Sequence, residues 1–356
     1  MKYSFKIASV WGIPVELHLT FILLMGAVAV LSYPTFYQFV LILFLFMFVL
    51  LHELAHTFVA RHYKIKVRKI VLYPIGGVSE IEEIPENPSI EWRLAISGPL
   101  TSLLAGVVLL AMNQLVRIAV PSTSIGAFTV AGELLLNLAV LNLLLGGFNL
   151  IPAFPMDGGR VFRAILAERM KFTDATKYAA YIGRLFGISM VIFGIVFPDY
   201  FLLIVVGLFV YVGASEEAEQ TIVSTTLARV RVGDVMCSEI ATVQPEMSLA
   251  EVMEILFKAR YHDALVEKNG VYQGLVVWDE LVKIKPEKRS QMRIEQMPLK
   301  KVSVYQDESV LEAQKIMMRE RIDVMPIVER TDPTKVVCAL TTEGLSAAFE
   351  KAKNLR

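Results

Sequence analysis

Cysteine is scarce in this sequence, with two residues, Cys237 and Cys338, among 356. Both lie in the polar last third of the chain, and neither has the spacing of a zinc-binding or redox motif. Small secreted domains that depend on disulfides carry many cysteines in a short chain. We therefore expect no disulfide framework, and a reducing cytosol is the simpler setting for this part of the chain.

An excess of charge of one sign is also missing, because 35 Lys and Arg residues balance 35 Asp and Glu residues. Proteins that bind nucleic acid through its phosphates usually carry a basic excess. Zero net charge therefore argues against nucleic acid as a partner. The first two thirds of the chain are apolar and the last third holds much of the charge, which predicts two domains.

Apolar residues are abundant, at 55% of the chain with a mean hydropathy of +0.54. Such values are typical of a protein that spans the lipid bilayer. Basic segments at 61–69 and 160–177 mark the cytosolic side by the positive-inside rule. An even number of spans then leaves both chain ends and the polar third in the cytoplasm, at the cell membrane. Six helical spans are predicted, at about 15–31, 36–61, 91–120, 128–150, 178–197 and 200–213.

The second predicted span contains the motif His52-Glu53-Leu54-Ala55-His56. Residues four apart lie on one face of a helix, so His52 and His56 can hold one metal ion with Glu53 beside it. The alternative is a pair of structural histidines next to an unrelated glutamate. Each ionisable group within the bilayer costs at least ~2.5 kcal/mol, so three of them without a function are less plausible than a metal site.

A second informative stretch follows the fourth predicted span and runs from Asn149 to Arg160. Its prolines exclude a regular helix, and irregular backbone at membrane depth survives where it lines a protein cavity. The topology returns Asp157 to the leaflet of His52 and His56. Asp157 is therefore predicted as a third ligand that leaves one position open for water. The alternative role is an N-cap for the following helix.

Two smaller features of the membrane part have two interpretations each. Residues 66–83 contain short apolar runs on both sides of Gly76 and Gly77, and this pattern predicts a pair of strands. Its edge can bind an unwound peptide, or the glycines can form a plain surface turn. His18, near the start of the first predicted span, either contacts the metal site or lies at the membrane interface.

The polar third contains a repeat, since residues 236–266 resemble residues 297–327 at an offset of 61. Each unit is predicted to form an extended piece, an amphipathic helix and two strands. Neither unit buries its apolar face alone, so the two are expected to pair into one α/β module. The predicted domains are residues 1–220, a linker at 221–230, and repeat units at 231–286 and 292–350.

The two membrane motifs together resemble the site-2 protease family of intramembrane zinc metalloproteases. The resemblance implies that His52, His56 and Asp157 bind one Zn²⁺ ion per chain and that Glu53 is the general base. Single-span membrane proteins are the implied substrates.

The same resemblance implies substrate contacts beyond the metal. Asn149 matches a family asparagine that holds the substrate or the oxyanion near the metal. Gly76 and Gly77 resemble hairpin glycines that present a strand edge to the substrate.

The repeat resembles a pair of CBS domains, which often bind adenosine nucleotides through a Gly-x-x-Thr-x-x-Asp pattern. The second repeat has the threonine, as Thr341, and the first has Glu280 at the position of the aspartate. Neither repeat has the aspartate itself. Two roles are therefore open: binding of an adenine nucleotide near Thr341 and Glu280, and formation of a dimer.

These features predict a polytopic α-helical membrane protein of about six spans with a short β-hairpin region and a soluble tandem CBS module. The predicted function is zinc-dependent cleavage of transmembrane helices near the cytosolic side, and regulation by the CBS pair is an additional expectation. The alternative is a CBS-gated transporter or channel, in which His52, Glu53, His56 and Asp157 bind a permeating divalent cation.

Overall fold

The fold is described from a computed structural model, which describes residues 3–81, 86–119, 127–235, 238 and 240–354. The chain divides into two compact units, Met1–Glu219 and Gln220–Arg356. The described helices of the first unit are α1 Leu19–Leu31, α2 Tyr37–His62, α3 Pro88–Ala119, α4 Ala127–Asn149, α5 Asp157–Ala167, α6 Phe172–Val196 and α7 Leu202–Ala228, which continues into the second unit.

Four of the described helices are long and apolar enough to cross a membrane: α2, α3, the Val130–Asn149 part of α4, and α6. The helix observed at the first predicted span is shorter than predicted, because residues 15–18 form a strand and α1 has only 13 residues. A helix of that length is about 20 Å long, less than the hydrocarbon core of about 30 Å. The predicted last span is the first half of α7. The count of six spans is therefore not confirmed.

A four-stranded sheet lies beside α2 in the order β1-β2-β3-β4. The middle pair, β2 and β3, is parallel, and both outer pairs are antiparallel. The hairpin expected within residues 66–83 corresponds to β3 and β4, whereas the N-terminal strand pair was not predicted. Strand β4 is one edge of this sheet. The strands are β1 Ser4–Val10, β2 Ile13–His18, β3 Val67–Tyr73 and β4 Gly76–Ile81.

The irregular segment between α4 and α5 folds back on the first turn of α5. A Cβ atom on Gly158 would lie 2.5 Å from the Leu150 carbonyl carbon, and one on Gly159 would lie 2.5 Å from the Phe154 nitrogen. Side chains at these two positions would push the segment away from α5. Glycine is therefore required for the chain reversal that precedes Asp157.

The second unit contains two three-stranded sheets, β5-β6-β7 and β10-β9-β8. Helix α8 begins at Leu249 and α11 begins at Val310, which is 61 positions later, as the repeat predicted. Both helices begin after a serine that caps the first turn. The remaining elements are β5 Thr242–Val243, α8 Leu249–Ala259, β6 Asp263–Lys268, β7 Val271–Val277, α9 Trp278–Val282, α10 Pro286–Arg289, β8 Val304–Tyr305, α11 Val310–Glu320, β9 Val324–Val328, β10 Val336–Thr341 and α12 Thr342–Asn354.

One expectation about the cysteines is corrected, because Cys338 is disulfide-bonded. Cys237 lies outside the described residues. The Ser238 amide donates to the Ala339 carbonyl at 3.0 Å, so the strand that carries Cys338 runs beside the residue that follows Cys237. Ser238 and Ala339 are about a hundred residues apart in the sequence, and this separation gave no sign that their backbones are hydrogen-bonded.

Candidate active site

Three side chains from α2 and α5 converge on one point of the first unit. The Nε2 atoms of His52 and His56 lie 3.2 Å apart, and Oδ2 of Asp157 lies 3.2 Å from each of them. Ligands about 2.0 Å from a tetrahedral zinc ion are about 3.3 Å from one another. The three atoms therefore form a triangle of the size that three zinc ligands require.

The local structure explains why these groups meet. His52 and His56 lie one turn apart on α2 and are both buried, with exposures of 5% and 6%. Asp157 is the first residue of α5, while Met156 holds the N-cap position without a side-chain cap. The predicted alternative, in which Asp157 is the N-cap, is therefore wrong. Its carboxylate points to the two histidines instead.

The outer nitrogen of each imidazole contacts α3. Nδ1 of His56 donates to the Leu94 carbonyl at 2.8 Å, and Nδ1 of His52 lies 2.9 Å from the Ser102 hydroxyl. A carbonyl oxygen only accepts, so the proton of neutral His56 is on Nδ1 and Nε2 keeps its lone pair for a metal. Sequence reasoning missed Leu94 and Ser102.

Gly98 on α3 makes room for both imidazoles. A Cβ atom there would lie 2.5 Å from Nε2 of His52 and closer still to Nε2 of His56. A larger residue would therefore displace the nitrogen atoms that face Asp157. Gly98 lies within the third predicted span, at 91–120, and was not identified as part of the site from the sequence.

Glu53 lies against strand β4. Its Oε2 atom accepts a hydrogen bond of 2.7 Å from the Ser79 hydroxyl. A Cβ atom on Gly77 would lie 2.5 Å from Cγ of Glu53, so glycine allows the strand to approach this closely. The sheet edge and the candidate base are thus in direct contact, although Ser79 was not identified from the sequence.

A cavity of about 1080 Å³ contains the candidate ligands and Glu53. Gly76, Gly77 and Asn149 also line it, and Asn149 donates to the Leu145 carbonyl at 3.0 Å. Apolar side chains of the surrounding helices form most of the wall. The cavity therefore brings together all the site residues predicted for the membrane part.

His18 does not belong to this group. It caps α1 through Nδ1, which contacts Thr20, and its ring lies 4.9 Å from that of Tyr73. It is not among the residues that line the cavity. The interpretation in which His18 contacts the metal site is therefore not supported by its position.

Each of the two residues predicted to bind nucleotide already contacts another residue of its own repeat. The Thr341 hydroxyl accepts from the Gly344 amide at 3.1 Å, and Glu280 pairs with Lys283 at 2.6 Å. A cleft of about 500 Å³ is lined by residues of both repeats, including the neighbours Asp279 and Thr342. Thr341 and Glu280 are not among its lining residues.

Sequence models of two families match the chain. Peptidase family M50 matches residues 40–131 and 112–190, and the CBS domain matches residues 232–287 and 294–350. The first match covers the helices that carry the candidate ligands. The second covers the repeated unit.

Individual proteins agree with these matches. A zinc metalloprotease of Methanocaldococcus jannaschii is 41% identical over 278 residues, which are 78% of this chain and 78% of the relative. Rip3 of Mycobacterium tuberculosis is 30% identical over 68% of this chain and 62% of its own length. The solved site-2 protease from M. jannaschii has 43% identity and a TM-score of 0.46, and the match covers 61% of this chain and 95% of that one. The chain therefore belongs to Peptidase family M50, as a zinc metalloprotease of the site-2 protease type with two CBS domains.

Proposed function

We propose that this protein cleaves transmembrane helices within the membrane, near its cytosolic side, with His52, His56 and Asp157 as zinc ligands. The observation that carries the proposal is the triangle of ligand atoms, 3.2 Å on each side, inside a cavity walled by apolar helices. The donor set, two imidazoles and one carboxylate, is one that catalytic zinc sites use. The Leu94 carbonyl and Ser102 fix the outer sides of the rings.

Glu53 is the proposed general base. When bound, zinc lowers the pKa of a water molecule to roughly 7 and polarises the peptide carbonyl. The Glu53 carboxylate would take a proton from the water that adds to the peptide carbonyl carbon, and would give this proton to the amine nitrogen as the C–N bond breaks. Ser79 holds Oε2 of this carboxylate, which leaves the second oxygen for the proton.

The substrate is proposed to bind along the edge of β4. A helical substrate keeps its amides in intrahelical hydrogen bonds, so it must unwind locally before its carbonyl can be attacked. An extended segment then adds to the sheet edge at Gly76 and Gly77, as peptides do in β-augmentation. Asn149, on the cavity wall, is proposed to hold the substrate carbonyl. Substrates with helix-breaking residues near the cleavage site are expected to react faster.

The orientation is proposed from charge. Helix α2 ends with Arg61 and His62, and the basic run continues to Lys69. By the positive-inside rule this end of α2 is cytoplasmic, and an even number of spans would place both chain ends and the CBS pair on the same side. Cysteines introduced at Lys66 and Ser290 should then react with a membrane-impermeant reagent added from the cytosolic side.

The CBS pair is proposed to regulate cleavage through α7. This helix is continuous from Leu202 to Ala228. In the first unit its Glu217 pairs with Arg160 at 3.1 Å, one turn after Asp157 on α5. In the second unit Leu227 packs into the core of the CBS pair. A ligand that favours one arrangement of the pair would bias the position of α7.

An adenine nucleotide is the proposed regulatory ligand, and a dimer of CBS pairs is the alternative role. Thr341 and Glu280 remain the candidate contacts by their position in the family pattern. Calorimetry of the full-length protein with ATP and AMP separates the two roles. Absence of binding heat at millimolar nucleotide would leave the dimer.

The cleavage reaction is tested with purified protein in detergent and a panel of single-span substrates, with and without a zinc chelator. Cleavage should stop with the chelator and return with added zinc. The variant Glu53→Gln should keep its zinc and lose about 10²-fold or more in kcat. A cation transporter would give no peptide product in either form. Cleavage that persists at the wild-type rate in the chelator, or in Glu53→Gln, would refute the proposal.

A further inference from the structure

A buried ion pair lies next to the candidate metal site without taking part in it. Nε of Arg163, on α5, donates to Oε1 of Glu91, on α3, at 2.6 Å, and Nη2 donates to the same oxygen. The side chains of Arg163 and Glu91 are 5% and 1% exposed. Arg163 also lies over the rings of Phe154 and Phe172, at 5.0 and 4.7 Å from their centres.

Stability alone does not explain this pair. Burial removes both charges from water, which costs desolvation free energy. The attraction between the two charges seldom exceeds this desolvation cost by much. The second carboxylate oxygen of Glu91, Oε2, has no hydrogen-bond partner among the described residues. An apolar pair of similar size would fill the same space without this unsatisfied oxygen.

The pair joins the two helices that hold the ligands in place. On α3, Leu94 lies one turn after Glu91, and its carbonyl accepts from His56. Ser102, two turns further along α3, contacts His52. On α5, Arg163 follows Asp157 by six residues, or about 9 Å along the helix axis.

The ligand triangle therefore depends on the distance between α3 and α5. Helix α3 orients both histidines, whereas α5 carries the carboxylate. A shift of α5 by 1 Å would change the 3.2 Å separations of Oδ2 from the two Nε2 atoms. Directional hydrogen bonds from a rigid guanidinium fix such a distance more narrowly than apolar contacts do.

We propose that Glu91 and Arg163 are positioning residues that hold Asp157 at ligand distance from His52 and His56. The inference rests on the proposed role of these three residues as zinc ligands. Neither Glu91 nor Arg163 touches the metal or the substrate in this mechanism. Their contribution is to the affinity for zinc, through the geometry of the ligands.

The test measures zinc affinity and thermal unfolding separately, on full-length protein in detergent. The double variant Glu91→Met/Arg163→Met replaces the ion pair with two apolar side chains of moderate size. We expect an unfolding temperature close to that of the wild type, and zinc binding weaker by about 10- to 100-fold in competition with a chelator. Asp174 and Lys177 form an exposed pair on α6, and the control Asp174→Asn/Lys177→Gln should change neither quantity.

A second variant decides the question if the double variant does not fold. Arg163→Lys keeps the buried charge but removes the planar two-donor contact with Oε1. We expect zinc binding to weaken by about tenfold while the protein remains folded. Wild-type zinc affinity in the folded double variant, or in Arg163→Lys, would overturn the inference. Wild-type protein that binds no zinc would instead refute the proposed function.

Discussion

The Ser79 hydroxyl donates a 2.7 Å hydrogen bond to Oε2 of Glu53 and so joins strand β4 to the helix of the candidate base. Glu53 is ionised when it acts as a base, and a hydrogen bond to one oxygen restricts the rotation of the carboxylate. The same strand is the proposed binding edge for the substrate. Binding of the substrate and orientation of the base are therefore linked through one residue.

Replacement of Ser79 by alanine should lower kcat by about tenfold with a smaller change in KM, because the base loses its orientation but not its carboxylate. Zinc content should stay at the wild-type level. The matched control is Ser79→Thr, which keeps the hydroxyl. Equal kcat values for Ser79→Ala and the wild type would show that the hydrogen bond has no role in turnover.

The variant Asp157→Asn should lower both zinc occupancy and activity. A neutral amide oxygen is a weaker ligand for zinc than a carboxylate. Metal analysis after dialysis against a weak chelator, together with a cleavage assay, measures the two effects. Full occupancy with wild-type cleavage would show that a different residue completes the site.

Loss of the Ser102 hydroxyl should weaken zinc binding by about tenfold, because groups that orient a ligand histidine contribute to metal affinity. Thr101 is the matched control on the same helix. Its hydroxyl donates to the Ser97 carbonyl at 2.8 Å and not to a histidine. Chelator competition should therefore distinguish Ser102→Ala from Thr101→Val, and equal affinities would contradict this role.

Coupling through α7 predicts that Glu217→Gln makes cleavage insensitive to adenine nucleotide. The neighbouring Glu216 is exposed, and Glu216→Gln should keep the wild-type response. Cleavage rates are measured with and without millimolar ATP. A nucleotide response of unchanged size in Glu217→Gln would exclude the contact with Arg160 as the route.

The CBS pair should lose stability as the pH rises through about 6. Burial raises the pKa of Asp263 from 3.8 to about 6, although the amides of Asp323 and Val324 donate to its carboxylate. The folded state therefore binds the proton more tightly than the unfolded state. This contribution is fully present below about pH 4 and disappears as the pH rises past 6.

The variant Asp263→Asn should remove this pH dependence. Thermal unfolding is followed by the fluorescence of Trp278 in protein that also carries Trp11→Phe and Trp92→Phe. The unfolding temperature of the parent should fall from pH 4 to pH 7 relative to that of the asparagine variant. Parallel profiles for the two proteins would contradict the assignment to Asp263.

The parts of the site that follow local rules could be predicted from the sequence. Helical periodicity places His52 and His56 on one face, and a regular offset of 61 residues reveals the repeat. Asp157 followed from topology, because the fourth predicted span returns to the leaflet of the histidines. Each of these inferences needs only residue type and spacing.

The remaining features depend on tertiary contacts that leave little trace in the sequence. Val15 and its neighbours are apolar in a strand just as they would be in a membrane helix, so the first span was predicted too long. The Leu94 carbonyl belongs to the backbone and has no sequence signal. The pair Glu91 and Arg163 is separated by 72 residues, and only the packing of α3 on α5 brings the two together.

The backbone of Gly98 closes one side of the candidate site. At Gly98 the two imidazoles lie so near α3 that no side chain fits between them and the helix. Gly98 is not among the residues that line the cavity, whereas all three candidate ligands are. An inhibitor with a metal-binding group would therefore have to approach the candidate ligands from the cavity. The substrate carbonyl would present a single, fixed face to the nucleophile.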